Sequence, residues 1–196
     1  MRIAVIGTGA LACVFAAHLS AQADLVMLGT WPEGVRALAD DGIRVTDPDG
    51  RTWRTAVTVS ADPEVAAGAD VALVLVKSYQ TARAARWARQ VLREDGLALT
   101  LQNGLDNYPT LIREVGAERA AAGVTYTAAT MLGPGNVRHV AGNATFLGLE
   151  PYVAGRVLAL ADLLNGAGLE THAVDGIEGR LWGKAVVNAA INPLTA

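Results

Sequence analysis

The strongest constraint on the fold is a short glycine-containing turn close to the start of the chain. It reads Gly7-Thr8-Gly9-Ala10-Leu11-Ala12 and lies between a β-branched run over Arg2–Ile6 and a segment with apolar residues at helical spacing. Gly7 permits a tight turn, Gly9 lets the backbone approach a pyrophosphate, and the N–H groups of the following helix attract negative charge. In this context the turn predicts a dinucleotide site, whereas in isolation it would predict only a structural turn.

Strand and helix patterns alternate after this turn. Apolar runs at 24–28, 71–76 and 97–101 are predicted as strands, and each is followed by a segment with helical periodicity. Continuous apolar runs of this kind are typical of parallel strands that are covered on both faces. We therefore predict an α/β fold with a Rossmann-like, mostly parallel sheet and helices on both of its faces.

Three segments depart from this alternation. Residues 42–57 predict two short strands around a turn, as a decoration of the fold, and residues 119–149 predict antiparallel additions to the edge of the sheet. A helix is predicted over 177–191, after a boundary near residue 175. The predicted organisation is a dinucleotide-binding domain over 1–175, followed by a separate helical region over 176–196.

Composition restricts the classes of partner. The net charge is -3 and the 16 basic residues are scattered, so the sequence predicts a small-molecule ligand and no nucleic acid. No apolar stretch is long enough to span a bilayer, and Gly7 and Gly9 interrupt the apolar start, which argues against a signal peptide. The single cysteine, Cys13, excludes an intrachain disulfide and predicts a cytoplasmic location.

The histidines do not form a metal-binding pattern in the sequence. His139 and His172 have no Cys, His or carboxylate at metal-ligand spacing, so no metal site is predicted. Cys13 and His18 fall in the first helix and are interpreted as packing residues.

The segment after the second strand bears on the choice of cofactor. An NAD site usually has an acidic side chain there for the ribose hydroxyls, but the segment reads Met27-Leu28-Gly29-Thr30-Trp31. Because this segment contains no carboxylate to repel a 2′-phosphate, NADP is favoured as the cofactor, and NAD remains an alternative. Thr30 could donate a hydrogen bond, Trp31 could stack on adenine, and Arg36 follows shortly after.

The predicted last helix carries three polar residues on one stripe. Lys184, Asn188 and Asn192 are four residues apart, and each step of four residues turns a helix by only about 40°. Apolar neighbours such as Trp182 and Val186 suggest that the stripe is buried. The side chains could be solvated or bonded to the backbone; a lysine in an apolar cleft could instead donate a proton, with the carboxamides binding a keto acid.

Five segments in one order resemble the ketopantoate reductase family, and the resemblance runs from end to end. They are Gly7-x-Gly9-x-x-Ala12, Val76-Lys77-Ser78-Tyr79-Gln80, Leu101-Gln102-Asn103-Gly104, Gly123-Val124-Thr125-Tyr126, and Trp182-Gly183-Lys184 through Asn188 to Asn192-Pro193-Leu194-Thr195. The first segment alone is not specific, but the five together are.

The resemblance implies reduction of 2-dehydropantoate to pantoate with NADPH, in the supply of pantothenate and coenzyme A. Lys184 resembles the general acid, Asn188 and Asn192 resemble substrate-binding residues, and Asn103 resembles the residue beside both nicotinamide and substrate. The implied cofactor-binding set is Gly7, Thr8, Gly9, Ala10, Leu11, Thr30, Lys77 and Asn103.

Two departures from the family pattern leave alternatives open. The family often carries arginine after the second strand, where this chain has Gly29-Thr30. The chain also resembles only the N-terminal domain and the first helix of the C-terminal domain, whose further helices complete the substrate site. The alternatives are a reductase of another 2-keto acid and a nucleotide-binding module without catalysis. An uncovered apolar face on the last helix would also favour a homo-oligomer.

Overall fold

The computed structural model describes the backbone of residues 1–142 and 144–195, and the side chains of residues 1–142 and 144–190. The fold begins with β1 (Arg2–Ile6), α1 (Ala10–Leu19) and β2 (Asp24–Leu28), and the two strands pair in parallel. Gly7 turns the chain between β1 and α1 with φ +138°. A Cβ there would lie 2.7 Å from the Leu75 carbonyl oxygen, so only glycine fits this turn.

The remaining helices and strands occur along the chain in nearly the order that the sequence predicts. The remaining helices are α2 (Pro32–Asp41), α3 (Thr81–Val91), α4 (Asn107–Val115), α5 (Ala154–Gly166) and α6 (Ile177–Thr195). The remaining strands are β3 (Ile43–Thr46), β4 (Thr52–Thr55), β5 (Thr58–Ser60), β6 (Ala69–Val74), β7 (Leu92–Thr100), β8 (Ala120–Thr125), β9 (Ala128–Gly133), β10 (Asn136–Ala141), β11 (Thr145–Gly148) and β12 (Thr171–Val174).

The main sheet has eight strands in the order β12-β11-β8-β7-β6-β1-β2-β5. Every pair from β8 to β5 is parallel, and β11 is antiparallel to β8. Alternate residues of β1 face opposite sides: Ile3 and Val5 pack on the side of α1 and α5, and Ala4 and Ile6 on the side of α3 and α4. The predicted mostly parallel sheet with helices on both faces is confirmed.

The prediction for residues 119–149 is wrong in part. Within that segment β8 pairs in parallel with β7, and of its strands only β11 adds to the main sheet in antiparallel orientation. β9 and β10 instead join β3 and β4 in a second sheet, in the order β4-β3-β10-β9. Side chains of β9 alternate between exposed and half-buried, and a strand of this kind suits an outer layer rather than the centre of a sheet.

The second sheet explains the composition of α1, which contacts β1 and β2 on one side and β3, β9 and β10 on the other. Seven of the ten residues of α1 are buried, among them Phe15 and Cys13. Burial raises the pKa of the Cys13 thiol to about 12, so this side chain packs as a small uncharged group. The helix is apolar on all sides because it is covered on both.

The apolar surroundings predicted for the polar stripe of α6 are exposed instead. Ile177 at the start of the helix is fully buried, whereas Trp182 is 62% exposed and Val186 and Val187 are exposed as well. α6 contacts β8 and β11, but these strands leave the three side chains exposed. Self-association through this face stays a prediction. Within the part of the chain described here, no helix is both long and apolar enough to cross a membrane.

Candidate active site

A cleft of about 630 Å³ lies at the carboxyl ends of the parallel strands. Its walls come from the segments that follow β1, β2, β6, β7 and β8, together with α3 and, among the described side chains of α6, Lys184. In open α/β sheets, ligands bind in the crevice at this edge, where connections leave adjacent strands toward opposite faces. Here β1 continues into α1 on one face, and its neighbour β6 continues into α3 on the other.

The floor of the cleft is the turn between β1 and α1. The five predicted residues Gly7, Thr8, Gly9, Ala10 and Leu11 all line it. Gly9 is the N-cap of α1 with φ −80°, a value that any residue adopts, and a Cβ added there would meet no protein atom within 4 Å. Neither the backbone nor the packing of the described chain requires glycine at this position, and the open space beside it leaves room for a ligand to approach the backbone closely. The first turn of α1 contains no acidic residue, which leaves its N–H groups available to an anion.

An arginine from α3 lies beside the end of β2. Arg83 Nη2 donates a hydrogen bond of 2.9 Å to Thr30 Oγ1, and the guanidinium carbon lies 5.8 Å from the centre of the Trp87 ring. Thr30, Trp31 and Arg83 all line the cleft. Arg36, suggested by the sequence as a neighbour of the ribose, is exposed and does not line it. Sequence analysis missed Arg83 because it is 53 residues from Thr30 along the chain.

The charges around the cleft have one sign. Lys77, Arg83 and Lys184 line it, and none of the lining residues in the described chain is Asp or Glu. Lys77 and Lys184 are also the only lysines among the 196 residues. In a chain with a net charge of -3, this concentration of cations favours an anionic ligand.

A buried polar network fixes the segments that carry Lys77 and Asn103. Gln102 Nε2 donates hydrogen bonds to the Val76 carbonyl oxygen at 2.8 Å and to Thr81 Oγ1 at 2.9 Å. Asn107 Nδ2 donates to the Asn103 carbonyl oxygen at 2.8 Å, and its Oδ1 lies 2.7 Å from the Thr81 hydroxyl. These side chains join the ends of β6 and β7. Gln102 belongs to one of the five segments that resemble the family, but the sequence did not indicate that it positions its neighbours. Thr81 and Asn107 were not predicted as part of the site.

Lys184 reaches the cleft from α6. Its ammonium donates a hydrogen bond to the Thr125 carbonyl oxygen at the end of β8, and Nζ lies 5.4 Å from the centre of the Tyr126 ring. The side chain is half-buried, and this burial lowers the pKa of the Lys184 ammonium from its ordinary value. A lysine with a lowered pKa in a cleft lined by further cations is suited to proton transfer.

The other predicted site residues divide into three groups. Lys77 and Asn103 are exposed and line the cleft. Asn188 is half-buried one turn beyond Lys184 and is not among the residues that line the cleft. The side chain of Asn192 lies outside the described residues. Lys184 is therefore the one described member of the predicted stripe that reaches the cleft.

Comparison with known proteins identifies relatives of the whole chain. The family described as "Ketopantoate reductase PanE/ApbA" matches residues 3–152. The 2-dehydropantoate 2-reductase of Halobacterium salinarum is 37% identical over 199 residues, which cover 100% of this chain and 65% of that protein. The chain thus spans a little under two thirds of the length of this relative.

Solved structures share the fold over nearly the same extent. The 2-dehydropantoate 2-reductase from Geobacter metallireducens is 31% identical with a TM-score of 0.88, covering 96% of this chain and 62% of that one. A ternary structure of D-mandelate dehydrogenase with NADH and anilino(oxo)acetate has a TM-score of 0.91 at 25% identity, covering 99% of this chain and 63% of that one.

Proposed function

Because the chain belongs to the ketopantoate reductase family, we propose that it is the cofactor-binding part of an NADPH-dependent oxidoreductase that reduces 2-dehydropantoate to pantoate. This reaction belongs to the supply of pantothenate and coenzyme A. Residues 1–175 serve as the dinucleotide-binding domain, and 176–196 provide the first helix of a helical substrate domain. The observation that carries the proposal is that Lys184 lines the same cleft as the glycine turn.

The hydride for the carbonyl carbon of the keto acid would come from nicotinamide C4 of NADPH, which the glycine turn, Lys77 and Asn103 would hold in the cleft. The chain supplies the proton: Lys184 donates it from Nζ to the carbonyl oxygen, and its positive charge stabilises the negative charge that develops there. The Thr125 carbonyl oxygen holds the ammonium in position. In this proposal Asn103 binds the substrate through its carboxamide in the cleft, and Lys77 contacts the cofactor. Asn188, which does not line the cleft, and Asn192, whose side chain lies outside the described residues, stay predicted substrate-binding residues.

The preference for NADP is supported by the cation beside the end of β2. Arg83 is bonded to Thr30, and no carboxylate among the described lining residues would repel a 2′-phosphate. In this proposal the guanidinium for the 2′-phosphate comes from α3 rather than from the segment after β2. A guanidinium binds phosphate oxygens with several donors, which suits this role.

The test of the function is an assay of NADPH oxidation with 2-dehydropantoate. We would assay the chain by itself and also joined to the part of the Geobacter metallireducens protein that follows the matched segment. We expect 2-dehydropantoate to give the highest kcat/KM among 2-keto acids. NADPH binding without turnover in both forms would instead support a nucleotide-binding module without catalysis.

A second candidate is a reductase of another 2-keto acid. It is favoured by the high structural similarity to D-mandelate dehydrogenase, which was solved with NADH. The same assay would include the 2-keto acid that corresponds to mandelate, with NADPH and NADH as alternative reductants. A higher kcat/KM for that acid would reassign the substrate and leave the reaction type unchanged.

We predict that Gly9→Val weakens NADPH binding by about 10-fold or more, because the added side chain would occupy the space in which a pyrophosphate approaches the backbone. The midpoint of thermal unfolding is expected to change little, since a Cβ at Gly9 meets no protein atom within 4 Å. Gly133→Val is the matched control: Gly133 is equally free of near neighbours but lies in β9, outside the cleft. Equal NADPH affinities in the two variants would contradict the proposed position of the pyrophosphate.

A further inference from the structure

A cluster of two imidazoles and a carboxylate lies away from the cleft, between α1 and the second sheet. His18 belongs to α1, His139 to β10, and Asp47 to the turn between β3 and β4. One nitrogen of each ring and one carboxylate oxygen all lie within 4.8 Å of one another. Residues 29 and 92 positions apart meet here, which is why spacing along the chain did not reveal the cluster.

The hydrogen bonds of His18 leave one ring nitrogen available. Nδ1 lies 3.0 Å from the Ala167 carbonyl oxygen, and since a carbonyl only accepts, Nδ1 carries the proton. Nε2 then has a free lone pair, and it is buried with no hydrogen-bond partner in the described chain. Histidine ligands of metal ions commonly donate their second ring N–H to a backbone carbonyl in this way.

His139 is a polar residue at a core-facing position. It follows Val137 on the buried face of β10 and is only 8% exposed. Its Nε2 is buried without a partner among the described residues, and its Nδ1 lies 4.0 Å from Asp47 Oδ1, too far for a hydrogen bond. A buried polar atom that lacks a partner costs free energy, so this arrangement calls for a further ligand.

Asp47 is oriented toward the imidazoles by a neighbouring side chain. Trp53 Nε1 donates a hydrogen bond of 2.8 Å to Asp47 Oδ2, so Oδ1 is the oxygen that faces His139. The Trp53 ring packs edge-on against the His18 ring, with 5.6 Å between the ring centres. The His18 and His139 rings also pack edge-on, with 6.1 Å between their centres. The three groups are thus held from three separate elements.

We propose that His18, Asp47 and His139 bind a divalent transition-metal ion of the zinc type, which joins α1 to the second sheet. Two imidazoles and a carboxylate are a ligand set that such ions accept, with water in the fourth position. Because the three ligand atoms lie at most 4.8 Å from one another, an ion at their centre would be within about 2.8 Å of each of them. The distance from zinc to a nitrogen or oxygen ligand is about 2.0 to 2.2 Å. Each ligand atom therefore needs to move by less than about 1 Å. The site is independent of the function proposed for the cleft.

The test is metal binding to the tag-free chain of 196 residues. Zn²⁺ would be titrated in competition with a chromophoric chelator, and Co²⁺ would be used as a spectroscopic probe. We expect one ion per chain, a cobalt spectrum typical of four-coordination, and binding weakened by at least about 30-fold in Asp47→Asn and in His139→Gln, since each removes a ligand. The third histidine gives the matched control, because His172 pairs with Glu170 on the surface and His172→Gln is expected to bind as tightly as the unaltered chain.

Asp47→Asn keeps the test decisive if His139→Gln does not fold. Asp47 lies in a turn and is partly exposed, and asparagine can still accept the hydrogen bond from Trp53. Added Zn²⁺ is expected to raise the midpoint of thermal unfolding of the unaltered chain and to raise that of Asp47→Asn much less. The absence of saturable 1:1 binding, or equal binding by Asp47→Asn and the unaltered chain, would overturn the proposal and favour a buried water molecule between the imidazoles.

Discussion

Replacement of Lys184 by alanine is expected to lower kcat for keto acid reduction by at least about 100-fold while leaving the Kd of NADPH nearly unchanged. The reason is the position of the ammonium, which lines the cleft and is held by the Thr125 carbonyl oxygen at the end of β8. A group that protonates the carbonyl oxygen acts in the transition state, so its loss affects turnover rather than cofactor binding. The measurement is kcat under saturating NADPH, beside a fluorescence titration with NADPH.

Two further variants separate proton donation from positive charge. Lys184→Arg keeps the charge, but a guanidinium does not release its proton in proteins, so most of the activity should be lost there too. Arg180→Ala removes a cation from the preceding turn of α6, where the guanidinium stacks on Phe146 outside the cleft, and full activity is expected. Turnover by Lys184→Ala at the rate of the unaltered chain would remove Lys184 from the mechanism.

The pH dependence of kcat supplies an independent check on Lys184. A general acid must be protonated, so kcat falls as the pH rises through its pKa. Burial lowers the pKa of Lys184, and the fall is therefore expected at a lower pH than an ordinary lysine would give. The residual activity of Lys184→Ala should lack this step, since the titrating group is gone.

The central βαβ unit could be predicted from the sequence because its signals are local. β1 and β2 were predicted residue by residue, since each is an apolar run that ends at a glycine or a polar residue, and the Gly7 turn follows from backbone sterics alone. The residues of this turn that line the cleft were predicted for the same reason. Patterns along the chain thus located the floor of the cleft.

The parts that were missed depend on pairing between distant segments. The second sheet forms because β10 pairs with β3, and no local pattern distinguishes that partner from the edge of the main sheet. The contact of Arg83 with Thr30 and the cluster of His18, Asp47 and His139 arise in the same way. Exposure of Trp182 was also misjudged, because periodicity indicates an apolar face but does not identify what covers it.

Replacement of Arg83 by alanine is expected to weaken NADPH binding by about 10- to 100-fold and to change NADH binding by less than about 3-fold, because a hydrogen-bonded pair with a charged group contributes about 1.5 to 3 kcal/mol. NADH lacks the 2′-phosphate, and a guanidinium that contacts only this group does not affect its affinity. The measurement is the Kd of both nucleotides at one fixed ionic strength. The matched control is Arg86→Ala, since Arg86 is exposed on the same helix and does not line the cleft.

The ratio of the two affinities decides which phosphate Arg83 binds. If it contacted the pyrophosphate, which both nucleotides carry, Arg83→Ala would weaken NADPH and NADH alike and the ratio would stay constant. Its hydrogen bond to Thr30 argues against this, because Thr30 follows β2, where the ribose of a dinucleotide lies, whereas the pyrophosphate lies at the glycine turn after β1. Tighter binding of NADH than of NADPH by the unaltered chain would contradict the assignment, and would align this chain with the mandelate dehydrogenase solved with NADH.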